Sequence, residues 1–67
     1  MSDNPLALKL CVLRAERGLT VRQAAELSGV TKETISRAER GKHHPHDYTL
    51  GKLSRAYGVH PLELLED

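Results

Sequence analysis

Phenylalanine and tryptophan are absent from this 67-residue chain, and tyrosine occurs only twice. Its core must therefore be built from Leu, Val, Ile and Ala, which favours short helices packed on small aliphatic side chains over a barrel enclosing a ligand. A single cysteine excludes an internal disulfide and any metal site needing two thiolates. No apolar run approaches the roughly 20 residues needed to cross a bilayer. The opening Met-Ser-Asp-Asn-Pro lacks the basic region and apolar stretch of a signal peptide, so a reducing cytoplasm is the expected compartment. A chain this short forms one domain and buries only about 60% of the surface it exposes when unfolded.

Excess charge of one sign is also missing, for the net charge is only +1. The charges are nevertheless unevenly spread. Residues 60–67 hold Glu63, Glu66 and Asp67 and no Lys or Arg, whereas the other 59 residues hold ten basic against six acidic side chains. Lys32, Arg37, Arg40 and Lys42 fall within eleven positions. Such a cluster suits a phosphate-facing surface, and it equally suits a solvated helix face.

What is present is helical periodicity, in five segments and with no strand pattern. The first starts near Pro5, carries Leu6, Leu10, Leu13 and the stem of Arg17 on one face, and stops at Gly18. Thr20 is placed to cap a second helix over Val21–Ser28, whose Ala24, Ala25 and Ser28 let a neighbour approach closely. Thr31 caps a third helix from Lys32 to Arg40, with Ile35 and Ala38 turned to the core. A loop, Lys42-His43-His44-Pro45-His46, ends at Asp47, the expected cap of a fourth helix, Tyr48 to Tyr57. Leu50, Leu53 and Tyr57 share one of its faces, and Pro61 opens a last short helix bearing Leu62 and Leu65.

Two helices joined by a short glycine-containing turn form a helix-turn-helix, which sets its second helix in the DNA major groove. Ala25, Gly29, Val30, Thr31 and Ile35 stand in the order that this geometry requires. Ala25 is small where the next helix crosses, Gly29 permits a positive φ, Val30 plugs the corner, and Ile35 fills the crossing. A purely structural helical hairpin could share the pattern, but the outer face of this third helix is short, polar and basic.

From Leu6 to Leu65 the chain resembles the Cro and phage-repressor (XRE-type) family of helix-turn-helix domains. The resemblance rests on Leu13-Arg14, Arg17-Gly18-Leu19-Thr20, Ala25-Glu26, Gly29-Val30-Thr31 and the run Thr34 to Lys42. It continues through Pro45, Thr49-Leu50, Leu53, Ala56-Tyr57-Gly58-Val59 and Leu62-Glu63-Leu64-Leu65. It implies an all-α, compact five-helix lambda-repressor-like DNA-binding domain over 1–67, with the helix-turn-helix at about 20–40. That domain would be the whole protein or the N-terminal part of a longer repressor. The implied function is sequence-specific binding of double-stranded operator DNA by a phage or bacterial transcriptional regulator, with cytoplasmic, nucleoid-associated localisation. The alternative is an antitoxin or accessory protein-interaction module on the same fold.

Groove chemistry then distributes roles. Lys32, Glu33, Thr34, Ser36 and Arg37 are the expected base contacts: Lys32 and Arg37 as donors to guanine, Glu33 as acceptor from cytosine N4. Glu33 has a second reading, as a favourable charge at a helix N-terminus. Arg22, Gln23, Thr31, Arg40, Lys42, His43 and His44 are the expected phosphate contacts. Many family members carry Gln at the start of helix two as a phosphate ligand; Val21 stands there in this chain, which shifts that duty to Arg22. The resemblance also implies a structural ion pair between Arg14 and Glu39.

His43, His44 and His46 lack the spacing of metal ligands on a helix, so no metal site is expected. Beside phosphates, these histidines should raise DNA affinity between about pH 7.5 and 6. No nucleophile motif appears, so neither an enzyme, a cofactor nor a small-molecule substrate is expected. Leu8, Cys11, Val12 and Ala15 fall on the outer side of helix one, and Leu27 is similarly placed on helix two. They are candidates for contact with a homodimer partner or a second domain, and stray exposed apolar residues are also common.

Overall fold

The computed structural model describes residues 5–65, with Leu65 as backbone only. Met1–Asn4 and the acidic Glu66 and Asp67 lie outside the described residues. Five helices follow in order: α1 (Pro5–Glu16), α2 (Val21–Ser28), α3 (Lys32–Glu39), α4 (Asp47–Tyr57) and α5 (Pro61–Leu65). None is long and apolar enough to cross a membrane.

The start of α2 follows from local chemistry. Thr20 accepts at Oγ1 from the Gln23 backbone N–H at 3.0 Å, and the Gln23 side-chain carbonyl accepts in return from the Thr20 N–H at 2.9 Å. This reciprocal capping box satisfies two donors that a bare helix end leaves open. The other end of α2 runs into the turn. Gly29 takes up φ 77° and ψ 11°, and its N–H reaches the Ala25 carbonyl at 2.9 Å. Nothing lies within 4 Å of where a Cβ would stand, so a side chain here would meet conformational strain alone, about 1–2 kcal/mol. Ser28 completes the corner: its hydroxyl donates to the Ala24 carbonyl at 2.7 Å and accepts from the Val30 N–H at 3.1 Å. Thr31 then caps α3 by accepting from the Thr34 N–H at 3.3 Å.

The core comprises Leu10, Ala24, Val30, Ile35, Ala38, Leu50, Leu53, Tyr57 and Leu64. α1 and α2 both pack against α3, α2 also packs against α4, and α5 lies against α4 and α1. The buried stripe of α1 is Ala7 and Leu10, with Leu6 and Leu13 half-buried at its edges. Continuing that stripe by one turn brings Arg14 to the inside, which is why a charge sits in the α1–α3 seam.

Four expectations need correction. α3 ends at Glu39, and Arg40 forms the C-cap beyond it. His46 is the residue before α4 and makes no side-chain cap, while Asp47 is already helical. Of the leucines on α5, Leu64 is buried and Leu62 is exposed; the Leu65 side chain lies outside the described residues. A five-residue helix offers a single inward position, and Lys9 Nζ bonded to the Glu63 carbonyl at 2.7 Å orients it. Cys11 is half-buried, placed between the outer face of α1 and the seam.

Candidate nucleic-acid interface

The outer stripe of α3 recurs every three or four residues, Lys32, Glu33, Ser36 and Arg37, and is continued by the C-cap Arg40. These five side chains and Val21 line a shallow concavity of about 360 Å³. Four of the five residues expected to contact bases are thus brought together, with Arg40 beside them. Lys32, Glu33, Arg37 and Arg40 are all exposed. Among the described residues none of them, nor Lys42, takes part in an ion pair. The donors of the cations therefore stay open to an external acceptor, and the Glu33 carboxylate to an external donor, at little desolvation cost to the free protein.

Thr34 stands apart from this group. It is half-buried, and its hydroxyl oxygen accepts from the Thr31 hydroxyl at 2.9 Å. Both threonines line a second depression with Gly29, Val30, Tyr48, Thr49 and Lys52. Gln23 is exposed, but its carbonyl is committed to the capping box, which leaves the amide NH₂ free to donate outward. Arg22 is exposed and approaches Glu26 one turn on, at 4.0 Å. Such a solvent-facing contact is weak and does not hold the guanidinium in place.

His43 and His44 are both exposed on the α3–α4 loop, which buried Pro45 pins to the body. Beyond them stands a group that sequence reasoning missed. His46 stacks on Tyr48 with centroids 5.8 Å apart and planes 7° from parallel, His43 meets the edge of His46 at 6.5 Å, and Lys52 Nζ lies 5.6 Å from the centre of the Tyr48 ring. The spacing of Tyr48 and Lys52, one turn apart on the amphipathic α4, was a usable signal, since Leu50 and Leu53 occupy the opposite face.

On its inner side α3 carries a different arrangement. Arg14 Nε donates to Glu39 Oε2 at 2.8 Å and Nη2 donates to Oε1 at 2.9 Å. Nη1 donates to the Leu19 carbonyl at 2.8 Å. The side chains are 19% and 9% exposed, and the two-pronged geometry suits a planar guanidinium. The bond to Glu39 raises the Arg14 pKa further above its ordinary value, against the opposing effect of burial. Nearby, Tyr57 is 2% exposed, and among the described residues its hydroxyl has no hydrogen-bond partner. Burial, with a smaller contribution from Glu39, pushes its pKa up to about 12. Arg17 ties the ends of α1 and α4 together through a bond from Nε to the Tyr57 carbonyl.

Leu8 and Val12 are 63% and 42% exposed, Ala15 is exposed beside them, and Leu27 stands out from α2. These residues stay away from the α3 concavity.

Comparison with known proteins agrees with this architecture. The helix-turn-helix (HTH_3) family model matches residues 13–64. The HTH-type transcriptional regulator PuuR of Escherichia coli K12 is 46% identical over 61 residues, which covers 88% of this chain and 33% of that protein. The chain therefore spans about a third of the length of that relative. The uncharacterized HTH-type transcriptional regulator y4dJ of Sinorhizobium fredii NGR234 is 40% identical over 53 residues, covering 79% of this chain and 69% of that protein. Among solved structures, an HTH_3 family transcriptional regulator from Vibrio cholerae superposes with a TM-score of 0.83 at 32% identity, over 90% of this chain and 34% of that one. The restriction-modification controller protein C.AhdI from Aeromonas hydrophila has the same TM-score at 30% identity, over 88% and 89% of the two chains. With the capped α2, the left-handed turn at Gly29 and the crossing α3 all inside the matched span, the chain belongs to the helix-turn-helix family.

Proposed function

We propose that this chain is the DNA-reading domain of a transcriptional regulator, a repressor of phage or bacterial type that acts in the cytoplasm. The observation that carries the reading is the α3 concavity, where Lys32, Arg37 and Arg40, exposed and without an ion pair among the described residues, stand with the half-buried Ser36 hydroxyl around one carboxylate, Glu33. A helix with its side chains is about 10–12 Å across, and the major groove is about 12 Å wide, so α3 enters it side on. Lys32 and Arg37 donate to guanine O6 and N7, Ser36 bonds a neighbouring base or phosphate, and Glu33 accepts from cytosine N4. Arg40, Lys42, Arg22, Gln23, His43 and His44 grip the flanking phosphates, which sets register without reading sequence. Thr31 and Thr34, bonded to each other, present their remaining hydroxyl capacity at the leading end of the helix.

The molecule measures 27 × 21 × 21 Å, which suits one half-site. Two copies on half-sites one helical turn apart, about 34–36 Å, would lie on the same face of the duplex as a homodimer. The names of the similar proteins, transcriptional regulators and a controller protein, support a regulatory role.

Binding to random duplex measured against salt tests the reading. Several phosphate contacts produce a steep negative slope of log affinity on log salt, and absence of any binding at low salt would overturn the proposal. A second reading, a module that holds a protein partner or an adjoining domain, draws on the exposed Leu8 and Val12. Replacing both with Lys is expected to disrupt assembly while leaving the domain folded.

A further inference from the structure

Val21 is the apolar member of the α3 concavity; the other five lining residues are Lys, Glu, Ser and two Arg. Its placement is fixed from behind. It is the first residue of α2, held by the Thr20–Gln23 capping box, and its half-buried side chain packs on the core. A valine in that wall has no donor for a phosphate and no acceptor for a base amine. It gains only where it covers another carbon. Along the major-groove edges of the four base pairs, the one apolar group is the C5-methyl of thymine, and 5-methylcytosine presents the same group at the same place. Arg37 and Lys32 line the same concavity, so a pyrimidine methyl against Val21 would lie beside the base pairs that they read.

We propose that Val21 is a specificity-determining residue that selects a C5-methylated pyrimidine within the half-site, by apolar contact from the start of α2. This rests on the major-groove reading of α3 and adds a base preference that none of its hydrogen-bonding residues supplies. Covering one methyl group corresponds to a gain of about three- to fivefold in affinity.

The experiment uses the intact chain and sites selected from a random duplex library. Each thymine of the selected site is replaced in turn by deoxyuridine, which removes the methyl and nothing else. One position is expected to lose about three- to fivefold in affinity, and in V21A the thymine-to-uracil ratio at that position should fall close to one. Because the ratio is taken on a single protein preparation, a partly unfolded V21A sample does not imitate the result. Placing 5-methylcytosine, and separately cytosine, at the same position separates the two sources of the methyl: retention of the preference with 5-methylcytosine identifies the methyl itself as what is read. If no thymine position responds, or if V21A keeps the wild-type ratio while salt-sensitive site binding persists, the assignment to Val21 is overturned and the DNA reading stands. If no site can be selected and random duplex is not bound, the DNA reading fails and takes this inference with it.

Discussion

The two sides of α3 meet the same kinds of charged group, Arg14 of α1 on one side and the helix's own cations on the other, and do opposite things with them. On the inner side, each nitrogen of the Arg14 guanidinium donates one bond, to Glu39 or the Leu19 carbonyl, in a seam that is mostly closed to water. On the outer side, Lys32, Arg37 and Arg40 are exposed and without an ion pair among the described residues. A charge whose neighbours satisfy it becomes part of the fold. A charge left unsatisfied at the surface adds little to stability and is available to a ligand. What a basic residue beside this helix does is therefore set by which side of the helix it meets, not by its type.

The contrast can be broken most strongly from the inside. Arg14→Met strands the Glu39 carboxylate and should cost about 3–5 kcal/mol in chemical denaturation, whereas the double change Arg14→Met with Glu39→Met should recover much of that loss. Single and double variants of equal stability would show that the seam holds no coupled pair. Alkaline titration probes the same seam. The Tyr57 hydroxyl ionises near 10 when unfolded and about 12 when folded, so only the unfolded state gives up its proton between these values. Stability from this group is constant below pH 10, and about 2–3 kcal/mol of it should be lost on rising to pH 12. Tyr57→Phe should abolish that loss without a penalty at neutral pH, since it removes a buried hydroxyl that has no partner among the described residues.

On the outer side the readout changes. Arg37→Ala should leave unfolding within about 0.5 kcal/mol of the parent, yet weaken the selected site by about 1–3 kcal/mol and relax preference at one base pair. A large loss of stability would place Arg37 in the fold after all. Smallest of all, Lys42→Ala should weaken all sequences alike and reduce the salt slope by about one.

The helix-turn-helix was legible because its signals are local: Thr20 and Thr31 as caps, Ala25 at the crossing, Gly29 where the backbone turns left-handed. The outer stripe of α3 was equally plain, because helical spacing alone sorts residues 32, 33, 36, 37 and 40 onto one face. What depended on which elements meet was not legible. Ser28 reads as a small helix residue, and its bridge between Ala24 and Val30 exists only once the corner has formed. Arg14 was placed through family resemblance; the periodicity of α1, read from Leu6, Leu10, Leu13 and Arg17, includes Leu10 but passes over Ala7 and Arg14, which the structure turns inward. Helix α5 is too short for its period to distinguish Leu62 from Leu64. Tyr48 and Lys52 went unnoticed because their relation to the turn is made by packing between α2 and α4, not by sequence distance.

The anchoring of α3 has a consequence for how the domain meets its ligand. Its first turn is held by Thr31 and its last by Glu39, with Ile35 and Ala38 buried between them. Such a helix has little freedom left to lose. Preorganisation of this kind lowers the entropic cost of association, which falls mainly on the ends of the long outer side chains. Substitutions along that outer stripe should then act nearly independently of folding and of one another where they are well separated; on the proposed major-groove reading, a new sequence preference could be written onto the helix without rebuilding the domain beneath it.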